Sequence, residues 1–162
     1  MYHQVYSSLK HIGTVYSVSF SDDGKHIISG SGDNDNTIRI WEMDNEKEIK
    51  EQNSLNGHTN NVHFVSFCNM DNRMCLISAS SDKTIRIWDA ESGKEIRVFR
   101  GHTNRVLFAC FDKNKQCVVS ASADGTVRFW DYPSLQELLK QTSERFNHNP
   151  LTKEERKKYY LD

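Results

Sequence analysis

Residues Ser80 to Asp89 read SSDKTIRIWD, residues Ser122 to Asp131 read SADGTVRFWD, and residues Asn34 to Met43 read NDNTIRIWEM. Each copy runs to a Trp followed by an acidic residue. A catalytic site assembles one set of reacting groups, so a phrase spelt three times marks a repeated structural unit. Further anchors keep the same order. His11, His58 and His102 open the units, preceded by Lys10, Gly57 and Gly101, and Trp41, Trp88 and Trp130 close them. His and Trp are 30, 30 and 28 residues apart, and successive Trp residues are 47 and then 42 apart. That period exceeds those of ankyrin, tetratricopeptide and leucine-rich repeats.

Within each unit the apolar residues alternate, which argues strand over helix. VYSVSF (Val15 to Phe20), VHFVSF (Val62 to Phe67) and VLFACF (Val106 to Phe111) come first; HIISGS, CLISAS and CVVSAS follow. Next come TIRIW, TIRIW and TVRFW, and a weaker run closes each unit: KEIKEQNSL, KEIRVFR and LQELLK. Four short strands joined by polar turns predict an antiparallel meander. One such sheet leaves a face uncovered, so neighbouring units must stack.

These strings resemble the WD-repeat β-propeller family, with GH pairs at Gly57-His58 and Gly101-His102 and the likeness covering residues 10–140. The resemblance implies an all-β fold of stacked four-stranded antiparallel blades, about three of them and so a partial propeller, with a short C-terminal helix. It divides the chain into the closing strand of a preceding blade (1–9), repeats at 10–56, 57–100 and 101–140, and a tail at 141–162. It also implies a hydrogen-bonded set in each blade: His58, Ser78, Asp82 and Trp88; His102, Ser120, Asp124 and Trp130; and His11, Ser29 and Trp41 with Asp33 or Asp35. Asp33 stands first in SGSGDNDNT, where two extra residues leave the acid open.

The chemistry suits a structural role. A carboxylate accepts from an imidazole N–H and from turn amides, and a buried indole N–H needs an acceptor. A hydrolase reading of the Ser and His residues is the enzyme-class alternative, against which stand the threefold repetition and the lack of a G-x-S-x-G elbow. His3, His26, His63 and His148 lack metal-site spacing. Cys68, Cys75, Cys110 and Cys117 form two C-x6-C pairs without a CxxC, and are expected as small buried hydrophobes. No metal and no cofactor is therefore expected.

Lys and Arg number 21 against 22 Asp and Glu, for a net charge of -1. Nucleic acid and membrane surfaces are not the expected partners, and the chain shows no apolar run of membrane-spanning length and no secretory leader, so a cytoplasmic setting is expected. The resemblance implies a non-catalytic protein-binding scaffold. Its partner-facing positions would be Asn60, Asn61, Asn104 and Arg105, after each GHT, and Ser81, Ala123 and Gly32, before each turn acid. The alternative is the C-terminal sensor part of a larger signalling ATPase, suggested by the LT-x-EE of the tail. There, Thr152 with Glu155 makes a capping box after Pro150.

Three blades fall short of the roughly four to eight that close a ring. Val15, Val18, Ile38 and Ile40 at one end and Val127 and Phe129 at the other are expected on uncovered faces. Self-association, or association with further blades, follows.

Overall fold

The computed structural model describes residues 10–43, 49–70, 73–112, 114, 116–132, 140 and 143–144. Among them are eleven strands: β1 (Val15–Phe20), β2 (His26–Ser31), β3 (Ile38–Met43), β4 (Ile49–Leu55), β5 (Val62–Met70), β6 (Arg73–Ser80), β7 (Thr84–Asp89), β8 (Glu95–Arg100), β9 (Val106–Asp112), β10 (Cys117–Ser122) and β11 (Val127–Asp131). They form three antiparallel meanders, ordered β1-β2-β3-β4, β5-β6-β7-β8 and β9-β10-β11. Each strand pairs with its neighbour in sequence, as short polar turns between alternating runs require. The chain divides into two compact units, Met1–Asp131 and Tyr132–Asp162, and all three sheets lie in the first. The strand expected at residues 4–9, most of that at 135–140, and the tail helix fall outside the described residues.

Side chains of one strand alternate between faces, and register decides which residues share a face. In the first sheet Val18 pairs with Ser29 and Phe20 with Ile27, while Ile27 pairs with Trp41, so these residues make one face, the front. A bulge between Val15 and Ser17 turns Val15 to the front as well, opposite Ser31. Ile28 and Ile40 pair on the other face, the back, together with Gly30 and Ile38.

The sheets stack back to front. Strand β5 lies against β1 and β2, and β9 lies against β5 and β6. Ile28, Ile38, Ile40 and Leu55 from the first sheet join Val62, Val65, Leu76 and Trp88 from the second in one core cluster. This corrects one expectation. Ile38 and Ile40 are fully buried, because β3 turns them to the back of the first sheet, beneath the second. The exposed apolar residues at that end are Val15, Val18 and Phe20, on the front.

Gly30 sets how closely the first two sheets approach. A Cβ built there would lie 2.9 Å from Val62 Cγ1 and 3.0 Å from Val65 Cγ1. Gly30→Ala is expected to cost about 1–3 kcal/mol through overpacking. Its penalty should shrink in a Val62→Ala background, as urea unfolding at fixed protein concentration measures. Equal penalties in the two backgrounds would show that the sheets do not meet through this pair.

Candidate functional site

Each sheet contains one chain of polar groups running from its third strand back to the loop before its first. In the second sheet the Trp88 indole N–H donates to Ser78 Oγ at 2.9 Å. Ser78 Oγ lies 2.8 Å from His58 Nε2, and His58 Nδ1 lies 2.8 Å from Asp82 Oδ2. An indole only donates and a carboxylate only accepts, so the direction is set. Trp88 gives to Ser78, Ser78 to His58 Nε2, and the Nδ1–H of a neutral His58 to Asp82. The third sheet repeats the chain at 2.8, 2.8 and 2.7 Å through Trp130, Ser120, His102 and Asp124. In the first, Trp41, Ser29 and His11 are linked at 2.9 and 2.6 Å.

There the acid is Asp35, whose Oδ2 lies 2.8 Å from His11 Nδ1. Asp33, the first acid of the lengthened turn, sits elsewhere: its φ is +52°, and its carboxylate accepts from the Tyr16 hydroxyl. The reason is a threonine that sequence reasoning passed over. Thr84 Oγ1 and N–H both reach Asp82 Oδ1, at 2.6 and 3.0 Å, and Thr126 does the same for Asp124. Thr37 Oγ1 reaches Asp35 Oδ1 at 2.5 Å. The motif is thus D-x-T in all three units, and only Asp35 has its Thr two residues on. Amides of the opening loop, Ile12, Thr59 and Thr103, complete each carboxylate.

The glycine of the GH pair is explained by the same packing. A Cβ on Gly57 would stand 2.7 Å from an Arg86 guanidinium nitrogen and 2.9 Å from the Trp88 ring. Arg86 in turn bonds Glu95 and lies over the Trp88 ring.

Burial alone would raise the Asp35 carboxyl. The bonds from Thr37, His11 and the Ile12 amide outweigh it and hold the group at about 2. Burial likewise opposes ionisation of Asp82, and His58 and Thr84 carry it well below the usual carboxylate range. Asp124 is lowered chiefly by the Thr126 hydroxyl. Burial depresses His58, more than the neighbouring Asp82 restores, so its ring is neutral near pH 7. The hydrolase reading meets a direct obstacle in this geometry. Ser78 is completely buried, and its hydroxyl accepts from one neighbour and donates to the other, so no substrate reaches it.

At the loop edge the positions expected to face a partner divide. Asn60 and Asn104 accept from the following amides, at 2.8 Å each, and so hold their own loops. Asn61 is half-buried and bridges the first two sheets: Oδ1 accepts from the Asp33 amide at 3.1 Å, and Nδ2 donates to Tyr16 Oη at 3.1 Å. Ser81 Oγ sits 2.6 Å from His63 Nε2, whose ring meets Tyr16 edge-on at 5.4 Å. Arg105 and Ala123 are exposed, and the Ala123 amide donates to the Arg105 carbonyl. Gly32 is a correction. It is buried beneath Asn61, whose Cγ would lie 2.5 Å from a Cβ there. With Asp35 as the acid, the exposed residue before it is Asn34, at φ +80°. Tyr16 and His63, one on β1 and one on β5, were not singled out as surface residues; both occupy the second position of their first strand, a signal the repeat alignment contains.

None of the four cysteines is in a disulfide, and the expectation of burial is corrected: Cys75 and Cys117 are buried, Cys68 is half-buried and Cys110 is exposed. Cys68 faces Cys75 across β5 and β6, and burial with that neighbour pushes its thiol up to about 12. Among the described residues no group of three or more His, Cys, Asp or Glu is placed to hold a metal ion, and no helix is long and apolar enough to cross a membrane. Residues 3–42, 49–89 and 93–131 match the family model described as WD domain, G-beta repeat. Each of the last two matches begins at the outer strand of one sheet (β4, β8) and ends at the Trp-bearing strand of the next. The repeat in sequence is therefore offset by one strand from the sheet in space.

Acid should dismantle the carboxylate sets. A carboxyl held below its ordinary 3.8 adds stability that is complete above that value and lost as pH falls towards the folded value, about 2 for Asp35. A His held below 6.5 also favours the fold at high pH, and its support starts to fall once the unfolded imidazole protonates. The melting temperature is expected to decline gently below about pH 6.5 and steeply between about pH 4 and 2. Asp35→Asn should lower the melting temperature at pH 7 and flatten the steep limb. Asp33→Asn should do neither, and a reversal of the two would return Asp33 to the set.

Proposed function

The chain belongs to the WD-repeat family, and we propose that it works as a non-catalytic scaffold that grips a protein partner through the loop edge of its sheets. The supporting observation is the state of the groups there. The polar atoms that shape the edge are spent on each other, Asn61 with Asp33 and Tyr16, and Ser81 with His63. Among the described residues the Arg105 guanidinium hydrogen-bonds nothing, and it stands exposed beside Ala123 on a loop whose backbone is fixed. A rigid rim that presents an unspent guanidinium favours a partner that brings a carboxylate. Arginine also stacks and bonds in pairs, which suits it to the centre of an interface.

The sensor-ATPase alternative rests on the tail sequence, which lies outside the described residues, and the sheets add nothing to it.

The test is affinity capture from cytosolic extract with the full chain and its Arg105→Ala variant, each quantified by mass spectrometry. One or more proteins should be lost at least about 10-fold with Arg105→Ala and eluted by raised salt, as a surface cation demands. The variant should melt with the parent. Identical capture by both chains would remove Arg105 from the interface, and capture of nothing by either would sink the scaffold reading.

A further inference from the structure

Repeat positions let the two ends of the stack be compared with its interior. Three residues and one residue before each closing Trp stand Ile38 and Ile40, Ile85 and Ile87, then Val127 and Phe129. The first four are 0 % exposed, lying on backs that the next sheet covers, whereas Val127 and Phe129 are 63 % and 72 % exposed. The opposite faces show the converse. Val62 and Val65, on the front of the second sheet, are 0 % and 1 % exposed, and their counterparts Val15 and Val18 on the first are 48 % and 64 %. Phe20 adds a third exposed apolar side chain to that front. The stack thus ends in two unlike surfaces, an uncovered back and an uncovered front. Within the chain, the resolved seating of Ile28, Ile38 and Ile40 on Val62, Val65 and Leu76 is a back on a front.

We infer that these two ends mate between two copies of this chain, the back of each third sheet seated on the front of the other copy's first sheet, closing a two-fold ring of six sheets. The occupant is specified by the chain's own interior. What covers Ile38 and Ile40 is a Val62-Val65 surface, and the uncovered front carries Val15 and Val18 at those two positions. Two copies bring the sheet number to six, within the range of about four to eight in which such rings close. A back-on-front contact is heterologous, and a heterologous contact ends in a ring only when its rotation closes. Once the first pair of ends meets, the second contact forms within one assembly, at high effective concentration. The inference is independent of the partner proposed for the loop edge.

Sedimentation velocity on the full chain tests it. A species of twice the 18.8 kDa chain mass is expected at micromolar concentration. Val18→Asp and Phe129→Asp each bring a carboxylate to one end, and each should weaken the dimer by about 100-fold or more, the cost of drying an unpaired charge. Both side chains are exposed in the single chain, so circular dichroism and thermal unfolding should show each variant folded. An equimolar mixture should associate more weakly than wild type, through the one contact in which the intact back of Val18→Asp meets the intact front of Phe129→Asp, because the second contact then carries a carboxylate on each side and stays open. A wild-type monomer, a variant that stays dimeric alone, assemblies that grow past two copies, or a mixture that dimerises as tightly as wild type would each overturn the ring.

Discussion

In each sheet a single carboxylate holds together pieces of chain that the backbone ladder leaves apart. Asp82 accepts from the His58 ring, the Thr59 amide, and both the amide and hydroxyl of Thr84. Those donors come from the loop that enters β5 and from the first residue of β7. The chain beyond His58 then passes through Ser78 on β6 to Trp88 on β7, so one line of bonds crosses the sheet against the direction of its strands. A carboxylate has roughly four acceptor sites, and here all are used, which is the condition under which a buried charge is tolerable. The Trp residue joins this polar line to the apolar one, since Trp88 is also part of the cluster between the first and second sheets.

The two kinds of cohesion have different reach. The carboxylate sets act within a sheet, and the aliphatic faces act between neighbours, so the assembly is close to a linear array of like units. In such an array the bonds of the loop edge stay mostly within one sheet, and they join two sheets only where one touches the next. Asn61, Tyr16 and Asp33 form one such seam. An exposed side chain such as Arg105 can then change without disturbing what holds the sheets together.

Strand runs, their order and the three sets were legible in the sequence because period two and repeated anchors are local signals. Thr37, Thr84 and Thr126 were equally visible but were read as the start of a strand, and with them went the means to choose Asp35 over Asp33. Gly32 followed the same error, since its place was counted from the wrong acid. The face of Ile38 and Ile40 was a different difficulty. Alternation tells which residues share a side, while the side that meets the next sheet depends on how two twisted sheets pack, and that is not a property of either strand. Asn61 illustrates the same limit: it was read as an exposed position, and it is half-buried because its bonding partners lie 28 and 45 residues away at the neighbouring sheet.

The one-strand offset between the repeat in sequence and the sheet in space means that the repeated unit of sequence is not the unit that folds. Residues 49–89 contain the outer strand of one sheet and three strands of another. A deletion with its borders at such a repeat removes the outer strand of one sheet and three strands of its neighbour, and the strand left over makes the first sheet four-stranded again. The strand released at one junction is replaced by its equivalent from the adjoining copy. Repeats of this kind can be gained and lost in tandem without a seam, and each joint is made of main-chain hydrogen bonds, which are indifferent to how far the copies have since diverged in side chains.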